Sequence, residues 1–111
     1  MLTNLSIQNF ALIKDVSINF DDGLSMITGE TGAGKSILLG ALSLIMGKRA
    51  DLNVMRDQQS KCIIEANFLL DQDRFKPFFD QNDLDFEKES IIRREILPSG
   101  KSRAFINDSP V

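Results

Sequence analysis

Period-two alternation of apolar and polar residues opens the chain. Leu5 and Ile7 alternate with Asn4, Ser6 and Gln8, and Val16, Ile18 and Phe20 alternate with Asp15, Ser17 and Asn19. Both runs predict strands with one buried face, linked through Phe10-Ala11-Leu12-Ile13. Asp21-Asp22-Gly23 reads as a turn into Leu24-Ser25-Met26-Ile27-Thr28. That run is mostly apolar, as a central strand buried on both faces should be. The period then changes. Ile37, Leu38, Leu39, Ala41, Leu42, Leu44, Ile45 and Met46 are apolar nearly all round a helix. They predict a buried helix that begins near Gly34, runs over 36–46 and is capped by Gly47. Gly40 in its middle costs about 1 kcal/mol relative to Ala, so close packing against a strand is expected there.

Lys48 to Ser60 has no clear period and reads as a loop, with a helical turn near Leu52-Val54-Met55. Alternation returns from Lys61 to Leu70, where Cys62, Ile64, Ala66, Phe68 and Leu70 face one way. Cys62 is thereby read as a small core residue rather than a reactive thiol. Asp71 or Asp73 is placed to cap a short helix carrying Phe75, Phe78 and Phe79 on one packing face. Pro77 is expected to restrict that helix to starting close by. Ile91 to Leu97 and Arg103 to Ile106 flank Pro98-Ser99-Gly100 as a β-hairpin, and Asn107-Asp108-Ser109-Pro110 is a further turn. An ending one residue after that turn reads as a piece of something longer.

Composition narrows the function classes. The 111 residues are 42% hydrophobic and 26% charged, ordinary for one globular domain. A net charge of −3 argues against a surface built to hold nucleic acid through its phosphates. One cysteine and no histidine leave no internal disulfide, no cysteine-rich zinc site and no histidine chemistry. No basic segment followed by an apolar one opens the chain, so no signal peptide is read. The longest nearly apolar run, Ile37 to Met46, is about half the ~20 residues a membrane span needs. A cytoplasmic protein without a membrane partner is expected.

The chemistry lies in Gly29-Glu30-Thr31-Gly32-Ala33-Gly34-Lys35-Ser36, which fills every specified position of the phosphate-binding pattern G-x-x-x-x-G-K-S/T. Glycines let the backbone close its N–H groups around a phosphate without a Cβ in the way. Lys35 is the point charge for the β- and γ-phosphates, and Ser36 offers a hydroxyl to Mg²⁺. The following helix aims its positive end at the same anion. Apolar strand, glycine loop and apolar helix are the context the motif needs, so ATP with Mg²⁺ is the expected ligand.

Two look-alikes are set aside. Gly100-Lys101-Ser102 repeats the end of the motif, but Glu95 stands where the first glycine belongs, so it reads as a hairpin tip. Phe68-Leu69-Leu70-Asp71 resembles a magnesium-holding strand end, yet an aspartate before a helical pattern is an ordinary cap. Arg49 and Arg56 are read as solvated rather than folded back toward a γ-phosphate. No residue for water activation is identified. Arg93, Arg94, Lys101 and Arg103 could cluster on the hairpin, but DNA binding by this chain is expected to be weak and non-specific.

Three segments carry a resemblance: Leu5 to Ile13, Ile27 to Ser36, and Gly47-Lys48-Arg49-Ala50-Asp51. With Ile92 to Glu95 and Gly100 to Asn107 they closely resemble the RecN family of bacterial DNA-repair proteins, in order along essentially the whole chain. Gly40 departs, since an acidic residue is expected there in many relatives. The resemblance implies an SMC-like ATPase of the ABC class, whose head is assembled from two chain ends separated by a long antiparallel coiled coil. Residues 1–111 are then the N-terminal lobe. The implied fold is an α/β P-loop NTPase with a mixed, partly antiparallel sheet around the P-loop helix. The magnesium-binding aspartate, catalytic glutamate and signature motif would lie in a C-terminal lobe, and two heads would sandwich ATP. The cycle would couple to DNA during double-strand-break repair and recombination, in the cytoplasm at the nucleoid. RecF, or another SMC-related nucleotide-binding module, is the alternative. A GTPase would need Asn-Lys-x-Asp, which the sequence lacks, and a kinase would place its P-loop strand first.

Overall fold

Apolar residues two apart on one strand meet apolar residues on the next, and that matching builds the sheet. Ile7 lies opposite Val16 on one side and Ile64 on the other, and Leu5 lies between Ile18 and Ala66. The computed structural model describes residues 2–11, 13–20, 32–49 and 55–111, the side chains of 32–38 excepted. The described strands are β1 (Leu2–Phe10), β2 (Ile13–Asn19), β3 (Cys62–Leu69), β4 (Glu89–Ile96), β5 (Ser102–Ile106) and β6 (Ser109–Pro110). They form one sheet in the order β2-β1-β3-β4-β5-β6, each pair antiparallel. The expected central strand Leu24–Thr28 lies outside the described residues, as do Leu52 and Val54.

One face of this sheet is apolar and the other polar. Helix α1 (Gly32–Ile45) packs against β3 and β4 on the apolar face. Ala41 and Leu44 join Leu5, Ile7, Phe10, Phe20, Cys62, Ile64, Ala66 and Ile96 in the core. Met55, from the segment after α1, is buried with them. The helix starts at Gly32, two residues before the expected Gly34. Beside Gly40 sits the ring of Phe10, 3.4 Å from where a Cβ would stand, which is the close strand packing expected there. Burial all round the helix is not observed: Leu39 is 51% exposed and Met46 82%. A single sheet covers only one side of a helix, and sequence alone does not count the layers.

Helix α2 (Gln72–Gln81) starts where Asp71 accepts a hydrogen bond from the Asp73 N–H at 3.1 Å. Pro77 corrects the sequence reading, because it lies inside the helix rather than at its start. Its missing N–H would have paired with the Asp73 carbonyl, and Asp73 lies on the exposed first turn of the helix. The packing face is also narrower than expected. Phe79 is buried and meets Phe86 edge-on at 5.3 Å, whereas Phe78 remains 55% exposed.

The predicted hairpin turn forms, and the second predicted turn is shorter than read, Asn107-Asp108 alone, because Ser109 and Pro110 pair with β5 as β6. Gly100, at φ 93, closes the β4–β5 hairpin, with the Leu97 N–H donating to the Lys101 carbonyl at 2.8 Å. Gly100-Lys101-Ser102 is therefore a hairpin tip. Asn107 (φ 49) and Asp108 (φ 68) are both left-handed, the requirement of a two-residue type I′ turn between β5 and β6.

Candidate nucleotide site

The phosphate-binding motif divides at the edge of the described residues. Gly29, Glu30 and Thr31 lie outside them. Gly32, Ala33, Gly34, Lys35 and Ser36 form the opening of α1, with their side chains outside the description. The backbone alone already fits an anion. Gly32, Ala33 and Gly34 stand in the first turn of α1, where helix N–H groups have no carbonyl four residues back within the helix and are the donors a helix start offers to an anion. With Lys35 and Ser36 next in the chain, the donor set suits a polyphosphate with its divalent cation: the ammonium for phosphate oxygens, the hydroxyl for Mg²⁺. Among the described residues, no group of three or more His, Cys, Asp or Glu is placed to hold a metal. No described helix is long and apolar enough to cross a membrane.

Two residues that sequence reasoning gave no such role hold the chain in place, Arg94 at the far end of α1 and Asn9 at the approach to β3. Arg94 lies on β4 with Ile92 and Ile96, its side chain turned toward the helix. Its Nη1 donates to the Leu44 carbonyl at 2.9 Å and to the Lys48 carbonyl, while Nε donates to Ser102 Oγ at 2.8 Å. The signal was present, since period two puts Arg94 at an inward position between two isoleucines. Asn9, at the end of β1, adopts φ 56 and bonds the backbone of Asp57, Ser60 and Lys61. No periodicity announces that role.

The remaining cations are mostly committed. On the polar face Glu95, its side chain 9% exposed, accepts a hydrogen bond from Arg103 Nη2 at 2.7 Å and forms an ion pair with Arg93, whose Nε lies 3.3 Å away without a hydrogen bond. Arg93 also reaches Asp108 at 3.2 Å and stacks 4.5 Å over the Phe105 ring. The basic hairpin cluster considered from sequence does not form, because Arg93 and Arg103 share one face with an acid and Arg94 occupies the other. Lys101 is exposed at the tip, as are Arg49 and Arg56. Asp57 is held below the usual carboxylate range, chiefly by the Gln59 N–H and then by the Ser60 hydroxyl. Burial pushes the Cys62 thiol up to about 11, in keeping with its place in the core.

Comparison with known proteins adds the lineage. The AAA domain family matches residues 4–108. The DNA repair protein RecN of Vibrio cholerae serotype O1 is 45% identical over 112 residues, covering 100% of this chain and 20% of that protein. The chain thus spans about a fifth of the length of the curated relatives it matches. An SMC ATPase structure, described for ATP-driven dimerization and DNA-stimulated activation, superposes at a TM-score of 0.72 with 22% identity, over 99% of this chain and 71% of that one. The recombination mediator protein RecF, in its RecF-ATPrS form, superposes at 0.70 with 18% identity, over 100% of this chain and 28% of that one. At these identities the structures speak for the fold alone, a P-loop ATPase fold of the SMC-head kind. The match over residues 4–108 settles the family: this chain belongs to the AAA domain family, RecN-like in sequence and SMC-head-like in fold.

Proposed function

We propose that the chain is the ATP-binding N-terminal lobe of an SMC-like ATPase head, acting in DNA double-strand-break repair and recombination in the cytoplasm. The observation that carries this reading is Gly29 to Ser36, a complete phosphate-binding motif whose second half opens α1. Bound Mg²⁺ would neutralise charge on the β- and γ-phosphates. Lys35 contributes its ammonium to the same oxygens, Ser36 its hydroxyl to the cation, and the N–H groups of the first turn orient the chain of phosphates. Glu30, Thr31 and Ala33 contribute backbone.

The unfinished apolar surface supports a further lobe. Leu39 on α1 and Met46 just past its end both stand exposed. An apolar groove with Phe68, Phe75, Phe78 and Ile106 in its walls lies between α2 and the sheet and reaches Met46, just past the end of α1. On this reading a C-terminal lobe of the same head, and a second head in a homodimer, supply the groups for hydrolysis, and DNA engages the assembly. The V. cholerae relative is named a DNA repair protein, which favours this reading over a RecF-like one at 18% identity.

The test is a titration of ATP·Mg²⁺ into the full-length protein and its Lys35→Ala variant. Removing one charge-assisted contact is worth about 1.5–3 kcal/mol, or roughly one to two decades of affinity. Equal affinities would remove Lys35 from the site.

A further inference from the structure

The last turn of α1 contains no basic residue, although the carbonyls there are the negative end of the helix dipole. The missing cation comes from the sheet. Arg94 donates to the Leu44 carbonyl inside the helix and to the Lys48 carbonyl just beyond it. Between these two acceptors Gly47 turns the chain at φ 102. The other edge of the guanidinium is fixed by Ser102 on β5. One side chain therefore ties the helix end to two adjacent strands through a planar fork, a geometry lysine cannot reproduce.

The opposite end of this helix is the phosphate-binding turn. A 14-residue α-helix is about 21 Å long, so a tilt of about 5° at the clamped end displaces the first turn by about 2 Å. Hydrogen bonds to phosphate do not survive a displacement of that size. At the clamped end the direction of the helix is fixed by the Arg94 hydrogen bonds to the Leu44 and Lys48 carbonyls.

We infer that Arg94 is a positioning residue for the nucleotide site: by clamping the C-terminal end of α1 to the β4–β5 hairpin, it sets where Gly32 to Ser36 meet the phosphates. The inference rests on the ATP-binding reading above. It assigns Arg94 no contact with nucleotide.

The experiment compares wild type, Arg94→Met, Ser102→Ala and Lys35→Ala in the full-length protein, reading ATP·Mg²⁺ affinity and amide hydrogen exchange. Arg94→Met should weaken binding about tenfold and Ser102→Ala about threefold, since loss of the Ser102 acceptor only loosens the fork. In both, the amides of Met46, Gly47 and Lys48, which bond back into α1, should exchange faster. Those of Leu5 and Ala66 in the β1–β3 ladder should not change. A general loss of stability would speed both sets and overturn the inference. So would unchanged affinity in both variants alongside a weakened Lys35→Ala, which would leave ATP binding standing and remove Arg94 from it. Unchanged binding by Lys35→Ala would bring down the ATP reading itself, and the inference with it. Should Arg94→Met not fold, Ser102→Ala decides by the same two readouts.

Discussion

The side-chain amide of Asn9 pairs reciprocally with the backbone of Asp57: Oδ1 accepts from the Asp57 N–H at 2.6 Å, and Nδ2 donates to its carbonyl at 2.8 Å. The same Nδ2 donates to the Ser60 carbonyl at 3.0 Å, so a single residue ends β1 and anchors the chain entering β3. Asparagine suits the place twice. It tolerates φ 56 better than most residues, and its amide both donates and accepts.

Replacing Asn9 separates those two contributions. Asn9→Gly keeps an easy left-handed backbone and loses only the hydrogen bonds, a cost of about 1–3 kcal/mol. Asn9→Ala loses the bonds and adds the steric cost of a left-handed alanine, about 1–2 kcal/mol more. Urea denaturation midpoints should fall in the order wild type, Gly variant, Ala variant. A Gly variant as stable as wild type would show that the amide anchors nothing.

Cys62 makes stability depend on alkaline pH. Its thiol titrates at about 11 in the fold against an ordinary 9.0, because burial penalises the thiolate. Between those values the unfolded chain releases a proton that the folded chain keeps, so stability falls as pH rises from 9 toward 11. Comparing the pH dependence of unfolding with that of Cys62→Ala isolates this contribution from the lysines. Alkylation at pH 8 should also be slow in the native protein and fast in urea. Equal rates would place the thiol at the surface.

Glu95 restrains the basic face of the hairpin. It pairs with Arg93 and Arg103 together, offsetting one of their two charges, and the chain carries a net charge of −3. Duplex DNA should therefore bind weakly and without sequence preference at physiological salt. Glu95→Gln should raise the affinity a few-fold at low salt, by about one phosphate contact, with the gain lost as salt is added. Tight binding by the wild-type chain in a filter or anisotropy assay at physiological salt would contradict this account.

The 111-residue chain by itself should not turn over ATP. Hydrolysis needs the phosphates held, the metal coordinated and a water oriented for in-line attack. On the proposed reading, Gly29 to Ser36 would offer the first and one ligand toward the second. Asp71, the strand-end aspartate, is engaged in capping α2. Phosphate release should appear only when the C-terminal lobe, expressed separately, is added. Turnover by the chain alone that is abolished by Asp71→Asn would make Asp71 a metal ligand and the chain a compact enzyme of another kind.

Strand identity and facing were legible in the sequence because side chains in a strand alternate with a period of two. Leu5, Ile7, Cys62, Ile64 and Ala66 declared the buried face before any neighbour was known. The hairpin tip at Gly100, the turn at Asn107 and the cap at Asp71 were legible because each rests on a local backbone demand. The phosphate-binding motif is local for the same reason. What reached across the chain was not legible. Pairing of β1 with β3 joins residues some sixty apart, and only that pairing brings Asn9 to Asp57. Position parity put Arg94 inward, but only the packing of α1 on β4 supplied the carbonyls to which its guanidinium donates. Likewise Arg93, Arg94, Lys101 and Arg103 are near neighbours in sequence, and the tertiary structure separated them. A strand sends successive side chains to opposite faces, so Glu95 took two of those arginines and the helix end took the third.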